Sequence, residues 1–115
     1  MALSIEDVTI FADGLDHPEC IAVHPDGSVW AGGEGGQVYK ISEDGKVIEE
    51  VNNTKGFNLG IAFSPDASWL AVCDNKNKCV WKLDIRTNKL SKFATGTDSI
   101  AISIPNYACF TKSGP

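Results

Sequence analysis

Three oxygen-bearing side chains stand just ahead of three similar apolar runs. Glu19 precedes Cys20-Ile21-Ala22-Val23, Asn58 precedes Leu59-Gly60-Ile61-Ala62-Phe63, and Asn106 precedes Tyr107-Ala108-Cys109-Phe110. If the runs are equivalent strands meeting around one axis, these oxygens converge. Carboxylate and amide oxygens suit a hard cation such as Ca²⁺ or Mg²⁺, so Glu19 and Asn106 are the expected metal ligands. Asn58 lies one residue further from its run, which points to a substrate contact or a turn cap. His17, beside Glu19, adds an imidazole able to exchange protons near neutral pH and is a second expected substrate contact. No serine sits in a nucleophile-elbow pattern, and no catalytic residue is assigned.

The elements that must position these groups follow from a repeat. Ile21-Ala22-Val23-His24-Pro25-Asp26-Gly27-Ser28-Val29-Trp30 returns as Ile61-Ala62-Phe63-Ser64-Pro65-Asp66-Ala67-Ser68-Trp69-Leu70. Val38-Tyr39-Lys40-Ile41 returns as Val80-Trp81-Lys82-Leu83, and Asp44-Gly45-Lys46-Val47 as Thr87-Asn88-Lys89-Leu90. The spacing grows from forty to forty-two to forty-three, so the insertions fall in turns. Repeats of this period mark modular architectures.

Each unit reads as four short strands: Glu19–His24, Ser28–Gly33, Gln37–Ser42 and Lys46–Val51, then Gly60–Ser64, Trp69–Asp74, Cys79–Asp84 and Lys89–Ala94. Pro-Asp, Gly-rich and Asn-containing separators supply hairpin turns, and no stretch carries a helical apolar stripe. Each first strand is apolar on both faces, and each fourth strand mixes in charges. That gradient fits a radial blade with a buried inner strand and a solvated outer one. The fold class is therefore all-β, with four-stranded antiparallel blades of a β-propeller, two of them full with flanking strands of a larger ring. The expected segments are 1–16 as the outer strand of a preceding blade, 17–53 and 54–96 as blades, and 97–115 as the start of a third. The first assignment rests on the likeness of Val8–Gly14 to Leu90–Gly96.

Two blades cannot close a ring that takes about four to eight. The expected partners are therefore further blades, from the remainder of a parent chain or from identical copies, with a trimer favoured. A non-catalytic propeller fragment, or a blade module that completes its ring by self-association, is the alternative to an enzyme.

Composition limits the other classes. In 115 residues the net charge is −5, and the ten Lys and Arg are scattered, which argues against a nucleic-acid partner. No apolar run reaches the length of a membrane span, no secretory leader is visible, and a cytoplasmic location is expected. Cys20, Cys73, Cys79 and Cys109 are expected to be reduced, with a Cys73–Cys79 pair across a hairpin as the alternative. Gly32-Gly33-Glu34-Gly35-Gly36 leads into a strand and reads as a blade turn, not a phosphate loop. Trp30, Trp69 and Trp81 read as interblade packing, Asp74 as a structural acceptor and His24 as a turn residue.

Gly14-Leu15-Asp16-His17-Pro18-Glu19, followed by Ile-Ala-Val and a Pro-x-Gly turn, resembles the SMP-30/gluconolactonase/LRE family, whose neighbours are the strictosidine-synthase-like propellers. The resemblance implies a six-bladed propeller with calcium in its central channel and hydrolysis of a small sugar lactone or ester. It gives Glu19 the place of the family's first acidic ligand and lets Pro105-Asn106 echo a Pro-Asn-Gly element that offers a carbonyl oxygen. The family's catalytic acidic residue, on a later blade, has no counterpart here.

Overall fold

Two Pro-Asp turns set the frame. Asp26 accepts from the amide and hydroxyl of Ser28 (2.8 and 2.5 Å), and Asp66 accepts in the same way from Ser68 (3.0 and 2.7 Å). Each carboxylate thereby closes the hairpin that joins the first two strands of a unit. These bonds favour the ionised form and hold Asp26 and Asp66 down to about 2.

The structure, a computed structural model, describes residues 2–113. Eight strands form two antiparallel sheets in simple sequence order: β1 (Ile21–Val23), β2 (Val29–Gly32), β3 (Gln37–Ile41) and β4 (Ile48–Asn53), then β5 (Asn58–Phe63), β6 (Trp69–Asp74), β7 (Cys79–Asp84) and β8 (Leu90–Ala94). A 3₁₀ turn at Ile5–Asp7 is the single helical element among the described residues. No helix is long and apolar enough to cross a membrane. The fold class read from the sequence is thus observed: two four-stranded antiparallel sheets with the topology of propeller blades.

Register shows where the repeat stretches. Ala22 pairs with Trp30 and Ala62 with Ala71, while Trp30 pairs with Lys40 and Ala71 with Lys82. The spacing therefore grows by one residue at each of the first two turns. It then holds, because Ile41 pairs with Ile48 and Leu83 with Leu90. The fourth strands match at forty-two, not at the forty-three suggested by the turn residues. A register shift falls at Val38/Tyr39 in one blade and at Val80/Trp81 in the other, the same place in both.

The blades pack face to face. Trp30 and Val38 of the first meet Ile61, Leu70, Val72 and Leu83 of the second, with Cys20, Ala22, Val51, Phe63, Trp81 and Leu90 around them. Each fully buried aliphatic side chain in such a seam contributes about 1.5–3 kcal/mol relative to exposure. Trp30 stands edge-on to Phe63, at 5.6 Å between ring centroids. Trp69 is on the opposite face of the second blade, against Phe93 and Phe110.

The inner strands differ from expectation. β5 is buried at its first four residues, but in β1 Ile21 is 64% and Val23 62% exposed. The counterparts of these two are Ile61 and Phe63, which pack on the first blade, whereas no blade lies on the other side of β1 among the described residues. Val8–Gly14 and Tyr107–Ser113 form no strand with the rest of the chain; Gly114 and Pro115, the end of the third copy, lie outside the described residues. Cys73 pairs with Val80 and Cys79 with Asp74, which puts the two thiols on opposite faces, and all four cysteines are free. Burial, with the nearby Cys20 adding to it, pushes the Cys73 thiol up to about 11, as suits a residue that packs as a small hydrophobe.

Candidate functional site

One rim gathers the ends where inner strands begin and second strands finish. It is built by the segment before β1, the β2–β3 and β6–β7 turns, and the β4–β5 loop. The four expected site residues all belong to this rim or border it.

Glu19 is exposed just before β1, and its carboxylate has no hydrogen-bond or ion-pair partner among the described residues. Cys20 next to it rests on the second inner strand, its sulfur 3.5 Å from the amide nitrogen of Ile61. The counterpart of Cys20 is Gly60, whose amide donates to the carbonyl of Asn106 at 2.8 Å. Asn106 thus stands beside β5 as Ile61 stands beside Cys20. A Cβ at Gly60 would collide with the Asn106 oxygen and the Tyr107 backbone, so the close approach requires glycine. The carbonyl of Asn106 is occupied by this bond; its side chain is exposed.

Asn58 is placed differently. It is 1% exposed, its Oδ1 accepts from Thr54 Oγ1 at 2.8 Å, and its Nδ2 donates to the Gln37 carbonyl at 3.1 Å. Its backbone amide donates to the Gly33 carbonyl at 3.1 Å. These bonds clasp the β4–β5 loop to the β2–β3 turn. The extra residue between Asn58 and Ile61 is taken up by a bulge: Asn58 pairs with Asp74 although Ile61 pairs with Val72. Carrying the β1–β2 register back two residues brings Glu19 opposite Gly33, the counterpart of Asp74. Asn58 therefore holds the ladder position equivalent to Glu19, with its side chain turned into the seam between blades.

His17 is exposed, with a left-handed φ of 45°. Its Nδ1 lies 2.9 Å from Asp16 Oδ1 and 3.0 Å from Glu34 Oε2. The bond from Asp16, with the Glu34 and Asp16 charges, raises its pKa, and the same bond from the imidazole is the main cause holding Asp16 low. Asp16 also fixes the turn opposite: its Oδ2 accepts from Gly35 N (3.0 Å) and Gln37 Nε2 (3.1 Å), and its own amide donates to the Tyr39 hydroxyl (3.2 Å). Sequence reasoning missed Asp16 and Glu34. They are eighteen residues apart, and only the turn geometry unites them.

Asp74, read as a structural acceptor, is 0% exposed at the end of β6. It accepts from the amides of Phe57 and Asn77 (both 3.0 Å), from Asn77 Nδ2 (2.7 Å) and from Trp81 Nε1 (2.8 Å). Burial alone would raise its pKa, but the donors together outweigh it and the pKa is lowered. Gly56 passes so close that any Cβ there would overlap the carboxylate. Between the two turns lies an open groove of about 550 Å³ lined by Glu34, Lys55, Gly56, Phe57, Asn75 and Lys76. The rim can thus offer unpaired carboxylate and amide oxygens at the inner edge and charged groups of both signs beside it.

Residues 6–41 match a family model described as strictosidine synthase-like, N-terminal. That stretch contains His17 and Glu19 but neither Asn58 nor Asn106, and it does not extend the resemblance to the SMP-30/gluconolactonase/LRE family. WD repeat-containing protein 1-B of Xenopus laevis is 40% identical over 77 residues, which cover 62% of this chain and 12% of that protein. The chain thus aligns with a small part of that curated relative's length. Both similarities accord with β-propeller blades.

Proposed function

We propose that this blade pair forms part of the wall of a propeller hydrolase of the lactonase or esterase type, with a divalent cation, calcium by preference, at the axis. The observation that carries the reading is the unpaired Glu19 carboxylate at the start of one inner strand, with Asn106 tied to the next at the same rim. The oxygen donors fit a hard cation, although two are a fraction of the six to eight that calcium takes, so other blades supply the rest. Calcium held there would polarise a lactone carbonyl and acidify a water molecule. In this reading Glu19 brings the negative charge and Asn106 its side-chain oxygen. His17, kept protonated to higher pH by Asp16 and Glu34, faces an anionic part of the substrate. Asn58 positions the rim through Thr54 and Gln37. In this reading the catalytic acidic residue comes from another blade.

Calcium titration with thermal melting tests this reading. With only two donors from one chain, affinity of about 10⁻³ M or weaker is expected. The melting temperature of the parent should rise as calcium is raised to about 50 mM, and that of Glu19→Ala should not. An unchanged parent melting curve would refute the metal reading.

A second reading is favoured by the exposure of Ile21 and Val23, whose counterparts are Ile61, buried, and Phe63, half-buried against the first blade. Here the chain is a non-catalytic module whose ring is completed by other blades, identical copies in a trimer being the specific form. Light scattering should then give three times 12.3 kDa, and Ile21→Asp should reduce it to one. A parent that stays monomeric removes the identical-copy form.

A further inference from the structure

The leads into the two inner strands are latched in opposite ways. In the second blade the acceptor stands on the hairpin: Asp74 takes the Phe57 amide just ahead of β5 (3.0 Å) and the indole of Trp81 (2.8 Å). In the first blade the register puts Gly33 where the second has Asp74, and Tyr39 where it has Trp81. Gly33 offers no side-chain acceptor, and a Cβ there would run into the Gln37 amide and the Tyr39 ring. The lead supplies the carboxylate instead. Asp16 Oδ2 accepts from Gly35 N (3.0 Å) and Gln37 Nε2 (3.1 Å), and the Asp16 amide donates to the Tyr39 hydroxyl (3.2 Å). The Asp16 carbonyl accepts from the Glu34 amide at 3.1 Å. One residue thus spans to the β2–β3 turn and to β3 through both its side chain and its backbone.

Glu19 follows three residues later and takes its place from this anchor. Its carboxylate has no hydrogen-bond or ion-pair partner among the described residues, so the backbone alone sets its position. On one side of it Cys20 rests on Ile61. On the other, His17 is held at a left-handed φ of 45° and the ring of Pro18 fixes its own φ. We propose that Asp16 is the positioning residue for Glu19: its clasp on the turn keeps the short span to β1 rigid and the free carboxylate at the inner edge. The proposal rests on the reading of Glu19 as a calcium ligand and adds the outer partner that sets that ligand's place. The side chain of Asp16 is 37% exposed, whereas Asp74 is fully buried. Substituting Asp16 therefore frees the lead and leaves the core of the blade intact.

The ¹⁵N-labelled full chain is compared with Asp16→Ala and Asp16→Asn, first in EDTA. Amide order parameters at His17 and Glu19 should fall from about 0.85 to below about 0.6 in Asp16→Ala. They should stay near the parent in Asp16→Asn, whose side-chain oxygen still accepts from Gly35 and Gln37. Calcium is then titrated to about 50 mM at constant ionic strength and followed at the Glu19 amide. Asp16→Ala should bind about tenfold more weakly than the parent, and Asp16→Asn within about twofold of it. Glu19 as rigid in Asp16→Ala as in the parent overturns the proposal. Equal losses of affinity in the two variants also overturn it, because they would assign the effect to the Asp16 charge and not to position. A parent unmoved by calcium refutes the metal reading instead, and the order parameters in EDTA still decide whether Asp16 holds Glu19.

Discussion

Trp81 donates its indole N–H to Asp74 at 2.8 Å, tying the middle of β7 to the end of β6 through a fully buried carboxylate. Phe57 and Asn77 add their donors to the same group. One charge thus holds together the β4–β5 loop, the β6–β7 turn and the third strand of the second blade.

Replacing Asp74 by Ala leaves these buried donors without an acceptor, at a cost of about 3 kcal/mol. Asp74→Asn keeps the shape and some acceptor capacity, and about half that loss is expected. Urea denaturation followed by tryptophan fluorescence measures both. Equal stability of Asp74→Ala and the parent would mean that the loop finds other acceptors.

Acid should unfold the chain through its aspartates. Asp74, Asp26 and Asp66 all have folded pKa values below the ordinary 3.8. A depressed folded value means that the stabilisation is complete above the unfolded pKa and is lost as pH falls through the folded one. Thermal melts should therefore be flat above about pH 5 and decline between about pH 4 and 2. Asp26→Asn should make that decline shallower; a parent curve without it would contradict the hydrogen-bonded carboxylates.

His17 titrates in the opposite sense. Its folded pKa is raised, so its contribution is complete below the ordinary 6.5 and fades as pH climbs through the folded value. The imidazole shifts in a proton NMR titration should give a midpoint above 6.5, and Asp16→Asn should bring it down. A midpoint unmoved by Asp16→Asn would separate the two side chains.

The Asn58 clasp should behave as a pair with Thr54. Asn58→Leu breaks the bonds to Thr54 and Gln37 and is expected to cost about 2 kcal/mol, with Thr54→Val costing about 1. Their double mutant should lose less than the sum, because the shared 2.8 Å bond is removed once. Strict additivity would show that the two side chains stabilise the junction separately.

Much of the frame was legible because hairpins announce themselves locally. Pro25-Asp26 and Pro65-Asp66 mark turns, and the repeat together with the separators Asn75-Lys76-Asn77 and Thr87-Asn88 gives two strands, Trp69–Asp74 and Cys79–Asp84, whose bounds are those observed. The fourth strand of the first blade was placed two residues early, at Lys46 rather than Ile48. Ser42 binds back to Val47 through both its amide and its hydroxyl, which keeps the turn closed through that residue. The start of β5 was placed at Gly60 because its first residues pair across a bulge and bond to the other blade. The same long-range contact hid the role of Asn58: its partners, Thr54 and Gln37, belong to a loop and another sheet. For Glu19 and Asn106 the sequence supplied position, and the structure adds their rim and neighbours.

The ladders join only consecutive strands, in the order β1-β2-β3-β4 and β5-β6-β7-β8. Each sheet can therefore assemble by successive hairpin closures over short loops, whose entropic cost is small. The slow event left to the chain is bringing two finished sheets together, and Asn58 with its bulge sits at that joint. Its substitution should slow refolding more than it speeds unfolding if the clasp is already made when the sheets meet.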